Sequence, residues 1–388
     1  MLSLLNKARK SFGLLLAAAF ALTLAACDTP APTGGPSLPD GKAVPVALLV
    51  PAGSGQASDD LLARSIQNAV QLAIADMPGV KIDLRVYNTA ADPATAGAMA
   101  SKAADEGAVV ILGPVYAQEA NAAGLAVASR GINVLSFSNN VDIAGGNVFV
   151  LGQTFDNTAS RLASFAVSQG VSQIMVLHDQ NASGQIGAAA IQRSVAAAGG
   201  TVSGTVAYEF SQNGIVQAIS GIAGQINASG AQGVFLTADT SGALPLVSQL
   251  LKDNGVDPTT TRFIGLTRWD IPSATLALPG IQGGWFALPD PSIMGQFGAR
   301  YQSSYGEPPH PIASIAYDGM AAIGALANSG GSLSSASLTQ GAGFAGVTGA
   351  FRLNADGTNE RALSVAQVVD GQVSIIDAAP RSFSGAGF

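Results

Sequence analysis

Side chains able to do chemistry are sparse in this 388-residue chain, which has one cysteine, Cys27, and two histidines, His178 and His310. A zinc site needs three or four converging ligands, so two scattered histidines and a lone cysteine predict no metal. His178-Asp179 followed by Ser183 has the residue types of a hydrolase. However, the chain has no Gly-x-Ser-x-Gly elbow, and Ser183-Gly184 opens a helical segment. No catalytic set is expected, and the chain reads as non-enzymatic. Pro51–Gly55 joins a strand to a helix without the Lys-Ser/Thr of a nucleotide loop. It reads as a structural turn whose Ser54 could wall a cleft. Asn354, Asp356, Asn359 and Glu360 lack calcium-loop spacing and read as a hairpin turn, so no cofactor is expected. The most informative cluster is Arg268-Trp269-Asp270, an aromatic between opposite charges at a strand end. Arg and Trp are enriched in partner-binding anchors. The triplet therefore reads as a cleft contact, as an exposed anchor built from Arg268 and Trp269, or as an ion pair packing Trp269 inward. Trp285, after Gly283-Gly284, reads as core.

Cys27 closes Leu24-Ala25-Ala26-Cys27, behind a basic start (Lys7, Arg9, Lys10) and an apolar run from Phe12 to Leu24. That order is a secretory signal, too short for a spanning helix. Small residues before a cysteine resemble a bacterial lipobox, in which the cysteine is lipidated and becomes residue one. Cleavage would remove residues 1–26 with three basic side chains, leaving 362 residues with 15 basic against 25 acidic. An acidic chain without a basic patch is not expected to bind nucleic acid. No later run has the apolar length of a span, so attachment would be through lipid, on the periplasmic face of the cell envelope. Asp28 resembles an inner-membrane retention signal. Residues 27–43, rich in Pro and Gly, read as a tether reaching roughly 20–25 Å.

The elements that must position any site begin at Val44. Apolar or β-branched runs at 46–50, 82–87, 109–112 and 133–135 alternate with Ala-rich helical segments at 59–76, 93–105 and 118–129. Ser58 is placed to cap the first helix and Asp92 the second, ahead of Pro93. In the first helix Leu61, Leu62, Ile66, Ala69, Val70 and Ala73 form one apolar face. The alternation restarts after Phe149, with strands at 174–177, 202–210, 234–236, 263–264 and 284–288. Repeated β–α units predict an α/β fold of two Rossmann-like lobes with parallel sheets. Lobe 1 is expected over 44–150 plus about 289–355, and lobe 2 over 151–288 plus about 356–380. Runs at 351–353 and 363–369 flank Asn354-Ala355-Asp356-Gly357, a hairpin signal.

Several motifs in order look like the type I periplasmic binding protein fold of branched-chain amino-acid receptors. They are Val46–Pro51, Ile111-Leu112-Gly113-Pro114, Asn133–Ser136, His178-Asp179 and Gly349–Asn354 with Asp356-Gly357. The resemblance covers 44–377 and implies a three-crossing hinge with ligand held between the lobes. It places Tyr116-Ala117 where the receptors bind the ligand carboxylate through a serine, with Ser136, Ser138 and Asn140 on the next loop. Ser183 and Asp239 or Thr240 fall at the receptors' aromatic positions, and Arg268 falls near their ammonium-binding acid. Leucine, isoleucine and valine are therefore expected to bind weakly. The chain also resembles lipoprotein activators of bifunctional penicillin-binding proteins, through Gly184-Gln185 and Thr267-Arg268, although it lacks their helical N-terminal domain. That resemblance implies a non-catalytic regulator docked on a peptidoglycan synthase. The alternative is a substrate-binding lipoprotein that carries an amino acid or another small polar solute to an ABC permease.

Overall fold

A computed structural model describes residues 43–383; Cys27, its signal segment and the tether lie outside the described residues. Strand β1 (Val44–Val50) is buried on both faces and pairs in parallel with β2 (Ile82–Asn88) and β3 (Val110–Leu112). Next come β4 (Asn133–Ser136) and β5 (Val148–Val150), giving a parallel sheet in the order β2-β1-β3-β4-β5. Helices α1 (Ala57–Ala75), α2 (Pro93–Asp105) and α3 (Ala117–Val127) connect the strands. Asp92 Oδ1 accepts from Thr95 N at 2.7 Å and caps α2 as expected.

The start of α1 differs from expectation. Its N-cap is Gln56 and no side chain caps it. Ser58 lies inside the helix, because Ser54 closes the turn instead, accepting from Gln56 N and donating to Asp59. Leu61 is 52% exposed and leaves the apolar face, whose remaining members Leu62, Ile66, Ala69, Val70 and Ala73 are buried.

After β5 the chain crosses into a second sheet. Its connecting helices are α4 (Phe155–Ser168), α5 (Ala182–Ala197), α6 (Gln212–Ala228) and α7 (Leu244–Asp253). Its strands are β6 (Gln173–Asp179), β7 (Thr201–Tyr208), β8 (Gly233–Leu236), β9 (Arg262–Gly265) and β10 (Trp285–Leu288). Beyond Pro289-Asp290 the chain returns to the first lobe. There α8 (Pro291–Tyr305) and α9 (Ala313–Asn328) pack on α1, followed by the short α10 (Ser335–Leu338). Strands β11 (Phe344–Gly346), β12 (Gly349–Leu353) and β13 (Asn359–Arg361) form a small antiparallel sheet against α9. The last crossing delivers β14 (Ser364–Val369) and β15 (Gln372–Asp377) to the second sheet, whose order is β15-β14-β10-β9-β8-β6-β7.

The Asn354–Gly357 turn therefore joins β12 to β13, and not to the later run at 363–369. That run pairs antiparallel with β10 and β15 in the other lobe. Arg361 explains the delay, since its guanidinium is held by Asp318 and Leu151 O and keeps β13 with the first lobe.

The two large sheets, the first all parallel and the second parallel except for β14 and β15, carry helices on both faces. In the first lobe α1 and α9 supply Leu62, Ile66, Met320 and Ile323 to one face, while α2 and α3 supply Ala100, Ala103 and Val127 to the other. In the second, Ile219 and Val247 of α6 and α7 oppose Leu162 and Ile191 of α4 and α5.

Candidate functional site

The strand ends of both lobes face a cleft of about 750 Å³ beside the hinge. On the first lobe its wall starts at Gly113-Pro114. Gly113 has φ +85°, and a Cβ there would lie 2.3 Å from Leu49 O, so no other residue fits this turn. The turn leads through Tyr116 into α3, whose N-terminus no side chain caps. Tyr116 and Ala117 line the cleft. The Tyr116 hydroxyl donates to Asp59 Oδ1 at 2.6 Å, and this bond, with burial, pushes its pKa up to about 12.

Ser136 ends β4 fully buried and does not reach the cleft. Its hydroxyl donates to Pro114 O at 2.9 Å and accepts from Ser138 N at 3.1 Å, joining the two wall loops. Ser138 and Asn140 do line the cavity. Each also shapes its own loop, Ser138 Oγ accepting from Asn140 N and Asn140 Oδ1 from Asp142 N.

Arg268 and Ile271 bring the second lobe to the cleft, and Gly152, Gln153 and Pro289 line it at the crossings. Arg268 donates from Nε to Asp270 Oδ1 at 2.9 Å and from Nη2 to Oδ2. Ser54, Ser183, Asp239 and Thr240 do not line the cavity. Ser54 donates to Asp59 Oδ2 at 2.7 Å, while Ser183 is exposed in the first turn of α5. Asp239 accepts from the Ser241 hydroxyl, and Thr240 donates to Ile271 O at 2.6 Å.

Trp269 corrects the reading of an exposed anchor, because it is fully buried. Its indole lies on the backbones of β9 and β10: a Cβ on Gly265 would come within 2.3 Å of it, and one on Gly284 within 2.6 Å. Phe286 packs at 6.0 Å between ring centroids. The two glycines mark this slot in the sequence, but only strand pairing shows that both face the same ring. Trp285 is buried from the opposite side of the sheet, against Phe165.

Sequence reasoning missed the apolar floor of the cleft, which is made by Phe137, Met294, Phe297, Ile312 and Ile315. Four of these come from α8 and the start of α9, over 150 residues from the first wall, and no local signal connects them to it. His310 also lines the cavity. Burial lowers its pKa, and Nδ1 accepts from Ile312 N at 3.2 Å. Arg361 reaches the hinge side of the cavity but is fully committed. Nη1 donates to Asp318 Oδ2 at 3.0 Å and to Thr348 Oγ1 at 2.6 Å, and Nε donates to Leu151 O at 3.0 Å. Among the described residues no group of three or more His, Cys, Asp or Glu side chains could hold a metal.

Two α/β lobes, three crossings and a cleft at opposed strand ends agree with a family match over residues 43–372, described as periplasmic binding protein. The chain belongs to the periplasmic binding protein family. No protein of curated function matches significantly. Many solved structures share the fold. A candidate branched-chain amino acid ABC transporter protein from Rhodospirillum rubrum is 19% identical, with TM-score 0.74 over 86% of this chain and 100% of its own. An ABC transporter substrate-binding protein from Desulfitobacterium hafniense, in complex with Leu, is 19% identical with TM-score 0.62 over 86% and 100%. A solute-binding protein from R. palustris, in complex with benzoate, is 18% identical with TM-score 0.57 over 88% and 97%. At these identities the likeness is one of fold. This periplasmic binding protein is thus placed by family and architecture, while its ligand has to be read from its own side chains.

Proposed function

We propose that this protein is the solute receptor of an ABC-type importer, tethered to a membrane by lipid on Cys27 and holding a small ligand between its lobes. The observation that carries the reading is the cleft itself, about 750 Å³ and lined from both lobes and the crossings. A cavity of that size, with apolar side chains beside amides, hydroxyls and Arg268, suits one small organic molecule. Two structural relatives hold Leu and benzoate, so the same architecture accepts an amino acid and a simple aromatic acid. Docking on a peptidoglycan synthase loses its proposed anchor, because Trp269 is buried.

The test is a thermal-shift screen of the mature protein against amino acids, organic acids, sugars and polyamines. A true ligand at a thousandfold excess over Kd stabilises the fold by about 4 kcal/mol. One chemical class is expected to raise the melting temperature on that scale, and stabilisation by none of them removes the reading. Affinity capture of the native lipoprotein provides the second arm. Recovery of an ABC permease supports the proposal, whereas recovery of a bifunctional penicillin-binding protein restores the synthase reading.

A further inference from the structure

The cleft is lined by apolar side chains, by neutral amides and hydroxyls such as Asn140 and Gln153, and by Arg268 and Arg361, and among the described residues no Asp or Glu side chain lines it. An ammonium group moved there from water would find no carboxylate among the lining side chains and would face two arginines, and burying it without an anionic partner is costly. Asp59, Asp179, Asp239 and Asp270 all lie outside the lining. Asp59 accepts from the Tyr116 and Ser54 hydroxyls, and Asp270 is clamped by Arg268. Asp179 is buried behind the Gly184 turn, and Asp239 accepts from Ser241. Arg268 stands differently. Nε and Nη2 are fixed on Asp270, while Nη1 makes no hydrogen bond among the described residues. The guanidinium is thus held in one orientation with donors left at its outer edge, the geometry that suits a carboxylate. Phe137, Phe297, Met294 and Ile315 offer an apolar bed across the cavity.

Resting on the receptor reading, we infer that the ligand is a monocarboxylic acid with an apolar body and no ammonium group, its carboxylate held by Arg268. The zwitterion preference of an amino-acid receptor is replaced by selection for the deaminated acid.

Three probes share one phenylethyl skeleton: 3-phenylpropanoate carries the carboxylate alone, phenylalanine both charges, and 2-phenylethylamine the ammonium alone. Calorimetric titration of the mature protein at neutral pH should give a Kd for the acid at least about tenfold below that for phenylalanine, with no binding of the amine. Arg268→Gln should weaken the acid by at least about tenfold while circular dichroism shows the native fold. Equal or tighter binding of phenylalanine, binding of the amine, or unchanged acid affinity in a folded Arg268→Gln protein overturns the inference. Binding of none of the three at millimolar concentration also overturns it. The receptor reading is then judged by the wider screen, where a shift with a sugar or a polyamine keeps it.

Discussion

Trp269 occupies a slot that exists because Gly265 and Gly284 have no side chains. The ring fills what would otherwise be a void between strands β9 and β10 and the α6–α7 layer. Trp269→Ala should therefore cost about 3–5 kcal/mol, the range for removing a large aromatic from a core. Urea unfolding gives that number directly, and a change below about 1 kcal/mol would contradict the burial. Gly265→Ala should also destabilise, since the added carbon meets the rigid indole and not a flexible chain end. The neighbouring Arg268 faces the cleft, so one tripeptide divides between core and site. Sequence alone left these readings of the triplet open, because adjacent residues on a loop carry no periodicity that assigns their directions.

At the scale of elements, helices were legible where polar caps and apolar spacing agree, as at Asp92-Pro93 in α2. The start of α1 was misplaced because Ser54 closes the preceding turn on Gln56 N and Asp59, so the helix opens at Gln56 without a side-chain cap. Strands β5, β11, β13 and β15 were missed; the first three are only three residues long, too few to show an alternation. In α3 the notable residue is Glu119, which is almost fully buried and whose carboxyl oxygens find no well-formed hydrogen bond among the described residues. Burial raises its pKa above the ordinary carboxyl value. In the pH interval between the unfolded and folded values the native state binds the extra proton, so stability falls as pH rises through it. The contribution is complete below the unfolded value and lost above the folded one. Glu119→Gln should remove this loss, so its unfolding midpoint should exceed that of wild type by more at about pH 8 than at about pH 4. Parallel midpoint-versus-pH curves for the two proteins would show that Glu119 ionises freely.

At the scale of the whole molecule, Arg361 and Asp318 form a buried ion pair where the crossings meet, with side chains 2% and 0% exposed. Burial lowers the Arg361 pKa and raises that of Asp318, each being held against desolvation by the other. Removing one partner leaves an uncompensated charge, so Arg361→Met or Asp318→Leu alone should cost about 3–5 kcal/mol. The double replacement should recover part of that loss, because no bare charge remains. A double-mutant cycle by chemical denaturation measures the recovery, and strict additivity would show that the two charges do not depend on each other. Anchoring also belongs to this scale. On the proposed lipid attachment, Cys27→Ser should release the protein from the membrane fraction or leave it unprocessed. Mature-sized mutant protein sedimenting with membranes would refute attachment through Cys27.

The alternation of short apolar runs with Ala-rich helices was enough to specify two α/β lobes, since each period selects its own element and a parallel sheet follows from helical crossovers. The resemblance to amino-acid receptors, and not local spacing, singled out Tyr116, Ala117, Ser138, Asn140 and Arg268, which line the cavity beside the hinge. Tertiary structure alone decided that Trp269 is core, that Ser136 holds loops together, and that Phe137, Phe297, Met294 and Ile315 floor the cleft. These facts depend on which distant segments meet across the hinge. Such meetings follow from the packing of whole layers and leave no trace in local spacing.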